Sequence, residues 1–139
     1  MQVANAFYPT PEQIAAIFGS PEDGAFVMVN LLKFKPKATY ADGSEAHLTG
    51  AEAYARYGEA VAGLVARYGG RVFYGGRVTG LLLGECGQLW DMVALVEYPS
   101  LAAFQAMVAS PDYQAIEKHR AAGLEGQLNI RTKAMATTT

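Results

Sequence analysis

The stretch Phe26-Val27-Met28-Val29-Asn30-Leu31-Leu32-Lys33-Phe34 has the composition of a buried β-strand with one amide set in its middle. A buried amide without partners costs roughly 1–3 kcal/mol, so Asn30 must be satisfied by its neighbours or kept for use. The stretch has an echo in Met92-Val93-Ala94-Leu95-Val96-Glu97-Tyr98. Read as parallel central neighbours in register, the two segments place Asn30 beside Ala94, and Lys33 opposite Glu97 as an ion pair. Alternation along a strand then gives two faces. One carries Phe26, Met28, Asn30, Leu32 and Phe34 beside Trp90, Met92, Ala94, Val96 and Tyr98. The other carries Val27, Val29, Leu31 and Lys33 beside Asp91, Val93, Leu95 and Glu97. Both are largely apolar, so both need cover. Helices of the same chain can cover one, and a second copy of the sheet is expected to cover the other, which makes the protein a homodimer.

Outward from this strand, the local signals alternate. Upstream, Thr10-Pro11-Glu12-Gln13 opens a short helix with a capping box and a proline in its first turn, and Ser20-Pro21-Glu22-Asp23-Gly24 is a turn. Downstream, residues 35–48 form a polar loop of about fourteen residues, long enough for a flap or an arm. Thr49 and Glu52 form a second capping box, launching a helix to about Tyr68 whose inner face is Tyr54, Tyr57, Val61, Leu64 and Tyr68. Glu52 and Arg56 are spaced to pair on its outer side. A second strand is expected from Arg71 to Leu83, with Gly75-Gly76 marking a bulge or a close approach by another group. A third runs from Leu89 to Tyr98. Pro99-Ser100 begins a helix that Ser110-Pro111 restarts and Gly123 stops, and Leu128 to Ala134 alternates as a last strand.

The order is β-α-β-β-α-β, which predicts an α+β protein with a ferredoxin-like antiparallel sheet and helices on one face. One domain is expected: a helical extension over residues 1–24, a core over 25–134 and a frayed tail over 135–139. The 139 residues suffice for a hydrophobic core, and 51% apolar against 17% charged residues argues against disorder. A net charge of −2 gives no field for nucleic acid or an anionic membrane. The lone Cys86 excludes an internal disulfide, and His47 and His119 lie too far apart to suggest a metal site. With no signal peptide and no long apolar run, the reading is a cytoplasmic protein without a membrane segment.

Candidate site residues follow from position. Asn30 can present its amide to a ligand beside the small Ala94, and Trp90, on the same face, can pack against that ligand. Tyr54 and Tyr57 occupy the inner helix face, as core residues or as pocket lining. Arg71 and Arg77 share one face of their strand unless a bulge intervenes, and could attract a carboxylate or phosphate. His119 and Arg120 suit the last turn of a helix, and His119 can also move a proton near neutral pH. There is no G-x-S-x-G elbow, no phosphate-cradling loop and no H-E-x-x-H. The function expected is binding of a small hydrophobic molecule between sheet and helices. It is either cofactor-independent catalysis, with His119 as acid or base, or the work of a non-catalytic ligand-binding or structural dimer module.

The second half of the chain resembles the domain of unknown function 1330 family. The features that carry the resemblance are Tyr68-Gly69-Gly70-Arg71, Glu97-Tyr98-Pro99-Ser100, Ser110-Pro111-Asp112-Tyr113-Gln114 and Arg120, within a region from Gly24 to Ala134. The family's glutamate-glycine pair before the second hairpin turn is not matched, since Leu83-Gly84 stands there with Glu85 after the glycine. The resemblance implies a dimeric α/β barrel, in a superfamily of cofactor-independent monooxygenases, isomerases, haem-degrading enzymes and proteins of no known activity. It implies no reaction. Asn30, Trp90 and His119 resemble in type the trio that haem-degrading members place around haem, which makes a haem-binding monooxygenase a third alternative.

Overall fold

The computed structural model describes residues 2–20 and 24–135. Residues 21–23 of the expected turn and 136–139 of the expected tail lie outside them. In chain order the elements are α1 (Pro11–Phe18), β1 (Phe26–Phe34), α2 (Gly50–Arg67), β2 (Arg71–Arg77), β3 (Met92–Tyr98), α3 (Leu101–Ala109), α4 (Pro111–Gly123) and β4 (Leu124–Thr132). The sheet order is β2-β3-β1-β4, and every neighbouring pair is antiparallel. This is the α+β, ferredoxin-like architecture.

The parallel pairing of the two echoing segments is overturned. The crossover through α2 leaves β1 and β2 parallel with a gap between them, and β3, reversed by the loop after β2, fills that gap antiparallel to both. Asn30 still faces Ala94, because the reversed register turns about that pair, but Phe26 now meets Tyr98 and Val27 meets Glu97. The expected Lys33–Glu97 ion pair is therefore absent. Lys33 pairs with Asp91 at 3.4 Å, and Glu97 with Arg71 at 3.2 Å.

Both capping boxes form as expected. The Glu52 carboxylate accepts the Thr49 N–H at 2.8 Å, so Arg56 pairs instead with Glu45 at 3.2 Å. β2 stops at Arg77 rather than Leu83. Beyond it Gly80, Gly84 and Gly87 loosen the chain into a loop, and Leu82 and Leu83 are 100% and 87% exposed. The irregularity in β2 falls between Val72 and Tyr74, just before the glycine pair. The extra residue, Phe73, turns the rest of the strand over. Arg71 lies opposite Glu97 on one face and Arg77 opposite Met92 on the other, so the two arginines do not share a face.

Helices α2, α3 and α4 cover the face that carries Phe26, Met28, Leu32, Ala94, Val96 and Tyr98, all buried. Tyr57, Leu64, Val65, Met107 and Tyr113 complete this core from the helices. Where the start of α2 crosses the end of α4, two glycines make backbone contact. A Cβ on Gly123 would lie 2.4 Å from the Gly50 carbonyl oxygen, and one on Gly50 would lie 2.1 Å from that of Lys35. The loop over residues 35–48 is packed rather than free. Its Ala38 and Leu48 are buried, and Thr39 donates its N–H to the Ala122 carbonyl at 3.0 Å.

The opposite sheet face carries Val27, Val29, Leu31, Val93 and Leu95, joined by Tyr74, Leu128 and Ile130 at paired positions. No described helix packs on it; the buried clusters contain none of these residues. Tyr74 is 53% and Ile130 45% exposed. Among the described residues no helix is long and apolar enough to cross a membrane.

Candidate functional site

Small side chains on facing elements leave space between them. On α2, Ala51, Ala55 and Gly58 recur at helical spacing next to Tyr54. Gly75 in β2 faces the helix side, opposite Ala94. Together they leave a solvent-open cleft of about 400 Å³, lined also by Phe34, Met92, Arg77 and Asp91. That volume lies within the range of small-molecule sites. The walls are mainly apolar, with the Phe34 and Tyr54 rings 5.4 Å apart at an angle of 43°. A second depression of about 470 Å³ between α2 and α4 is a surface groove flanked by the Arg67–Asp112 ion pair, and it gathers none of the candidate residues.

The polar groups of the cleft differ in how far they are already engaged. The Asp91 carboxylate accepts the Phe34 N–H at 2.9 Å and pairs with Lys33. Arg77 is exposed, and its guanidinium has no hydrogen bond or ion pair among the described residues. The Tyr54 hydroxyl likewise has no hydrogen-bond partner among them. Burial pushes its phenol well above the ordinary tyrosine range, so it stays neutral at physiological pH. Behind it Tyr57 bonds to Tyr113, oxygen to oxygen at 2.9 Å, and burial raises both of those phenols as well.

Of the residues singled out in the sequence, Tyr54 and Arg77 line this cleft, and Tyr57 packs behind Tyr54 with ring centroids 5.3 Å apart. Asn30, Trp90 and His119 do not line it. Asn30 donates its amide N–H groups to the Met28 and Ala94 carbonyls, both at 3.2 Å. Its truncation to alanine is expected to cost about 1–2 kcal/mol in a urea titration, the loss of two modest hydrogen bonds; an unchanged midpoint would mean those bonds contribute nothing net. The Trp90 indole donates to Asn5 Oδ1 at 3.0 Å, and Asn5 sits against Gly126 at the other edge of β1.

His119 Nδ1 is 2.6 Å from the Tyr40 hydroxyl, which ties α4 to the loop over residues 35–48. Its pKa is lowered, first by desolvation and then by the charges of Lys118 and Arg56. Arg120, expected only to suit the helix dipole, is buried and donates to the Phe7 carbonyl at 2.6 Å, holding the N-terminal segment beside β4.

What sequence reasoning missed is the small-residue lining. Ala51, Ala55 and Gly58 sit beside the aromatic stripe of α2, and the available signal was their spacing together with the glycine pair of β2. Among the described residues, no cluster of three or more His, Cys, Asp or Glu could hold a metal ion.

Comparison with known proteins agrees with this architecture. The family model described as a domain of unknown function, DUF1330, matches residues 39–133. It begins after β1, whereas the resemblance read from the sequence began at Gly24. The RPA0582 protein of unknown function from Rhodopseudomonas palustris is 36% identical over 96% of this chain and 100% of its own, with a TM-score of 0.85. A dimeric protein of unknown function and ferredoxin-like fold from Bacteroides fragilis is 15% identical over 80% of this chain and 97% of its own, at 0.52. The At3g17210 protein of Arabidopsis thaliana is 16% identical, covering 82% and 99%, at 0.56. The last two likenesses speak to fold alone. Among curated proteins none matches the chain.

Proposed function

Because the chain belongs to the DUF1330 family, described only as a domain of unknown function, we propose its function from geometry: a homodimer that binds a small hydrophobic molecule in the cleft between α2 and the sheet. The observation that carries the reading is the cleft itself, an apolar space of about 400 Å³ left open by small residues on both walls. Dimerisation is supported by the uncovered apolar face of the sheet, and by the dimeric state of the Bacteroides fragilis protein of the same fold. Tyr54 and Arg77 contact the ligand, and Tyr57 fixes Tyr54 from behind. Asn30, Trp90 and His119 serve the fold through the bonds described above.

Binding is favoured over proton transfer because His119, the one candidate acid or base, is engaged with Tyr40 away from the cleft. Asn30 and Trp90 are each engaged with other partners, so the haem reading gains no support from their placement.

The test is a titration with 2-naphthylmethanol, a neutral apolar probe, followed by the NMR signals of Phe34, Tyr54 and Met92. Saturable shifts are expected, and Gly58→Leu should abolish them by filling the space. Nothing lies within 4 Å of where a Cβ on Gly58 would stand, so the variant has room to fold. Absent binding, or binding indifferent to Gly58→Leu, would sink the reading.

A further inference from the structure

We propose that the ligand of this cleft is a small aromatic carboxylate anchored by Arg77. The inference rests on the binding reading above and adds to it the charge and shape of the molecule.

The charge follows from which groups at the mouth are already neutralised. Asp91 uses one carboxylate oxygen on the Phe34 N–H and the other on Lys33, so that pair contributes no net charge. Arg77 is different. It is exposed at the cleft, and no carboxylate or carbonyl among the described residues accepts from its guanidinium. The mouth therefore carries one uncompensated positive charge.

The contrast with Arg71 on the same strand sharpens this. Arg71 is paired with Glu97 at 3.2 Å and lies 5.3 Å from the Phe73 ring centroid, so its guanidinium is occupied. The bulge at Phe73 separates the two arginines, leaving Arg71 on the open face of the sheet and bringing Arg77 to the cleft side. A guanidinium with a free planar fork matches a carboxylate through two parallel hydrogen bonds, which an ammonium cannot reproduce.

The shape follows from the walls. Gly75 and Gly58 offer no side chain, so a flat body can lie between helix and strand. Phe34, Tyr54 and the Met92 thioether supply the aromatic and sulfur surfaces on which such a ring packs. The neutral Tyr54 phenol, without an acceptor of its own, is a second donor for an anionic ligand.

The experiment compares 2-naphthoate with 2-naphthylmethanol, which share a ring system and differ in charge, by calorimetry on the intact protein. Wild type is expected to bind the acid about tenfold more tightly, the scale of one charged hydrogen-bonded contact near the surface. Arg77→Met should erase that preference, so that acid and alcohol bind the variant alike, and Arg77→Lys should keep only part of it. The preference should also shrink in high salt. Equal affinity of the two probes for wild type, or a preference that survives in Arg77→Met, would overturn the proposal while leaving the cleft as a neutral binding site. If the alcohol too fails to bind, or binds regardless of Gly58→Leu, the binding reading has failed and this inference falls with it.

Discussion

Gly123→Ala is expected to lower the stability of the fold by about 3 kcal/mol, read as a shifted urea midpoint at fixed protein concentration. Helix propensity alone argues for the opposite sign, since alanine near the end of α4 should gain up to about 1 kcal/mol over glycine. Packing decides the matter. The added methyl would lie 2.4 Å from the Gly50 carbonyl oxygen and 2.8 Å from the Tyr54 nitrogen. Both are backbone atoms of α2, so no side-chain rotation relieves the clash, and the helices must separate. That separation would also strain the Gly123 carbonyl, which accepts the Lys35 N–H at 2.9 Å, and the Gly50 N–H, which donates to the Lys35 carbonyl at 3.1 Å. Gly63→Ala in the middle of α2 is the control. Nothing lies within 4 Å of its Cβ position, and it should stabilise by roughly 0.5–1 kcal/mol. If both variants stabilise, the crossing is looser than the backbone contact requires.

Gly123 also shows where reading a sequence stops. As a helix terminator it was legible, because the chemistry of a helix end is local. Its second role depends on Gly50, distant in the chain and adjacent only after α2 and α4 pack. The same division holds elsewhere. Thr10 with Gln13 and Thr49 with Glu52 announced their helices because a capping box is complete within one turn. The echo of Met28–Phe34 in Met92–Tyr98 identified two central strands and set Asn30 beside Ala94. It could not give their relative direction, which the loop after β2 imposes, and the Lys33–Glu97 pair was lost with it. Leu81-Leu82-Leu83 read as strand by composition, yet the glycines around it leave it unpaired.

The site was legible in part for the same reason. Tyr54 stood out on an aromatic stripe and Arg77 on a strand, and both line the cleft. The cleft itself is made by what is missing from Ala51, Ala55, Gly58 and Gly75, and small residues announce nothing until two elements face each other. Nor could the face of Arg77 be known in advance. It depends on one extra residue, Phe73, whose bulge is set by pairing with β3.

Val29→Asp is expected to abolish the proposed dimerisation and leave a folded monomer. Val29 lies on a central strand, with Leu95 opposite on one side and Ile130 on the other, so it marks the middle of the uncovered face. A carboxylate there would be desolvated on association with no cation to meet it. The charged neighbours at the rim are already committed, Lys33 to Asp91 and Arg71 to Glu97. An uncompensated buried charge costs several kcal/mol, so the dissociation constant should rise at least about 100-fold, or roughly 3 kcal/mol. Within the single chain the position is only half-buried, and the lost strand propensity is at most about 1 kcal/mol, so the monomer should keep its fold by circular dichroism. Sedimentation equilibrium reads the outcome directly.

Acid supplies the check on mechanism. Burial in the proposed dimer would raise the pKa of the new carboxylate above its ordinary value of about 3.9, so that dimer would bind the proton more tightly than the monomer does. Association of Val29→Asp should therefore strengthen as pH falls from 7 towards 4. Val29→Asn, which has no proton to gain at that position, should show no such recovery. A variant that stays dimeric at neutral pH, or a wild-type chain that is monomeric at about 100 µM, would place the partner of this face somewhere other than a second copy of the sheet.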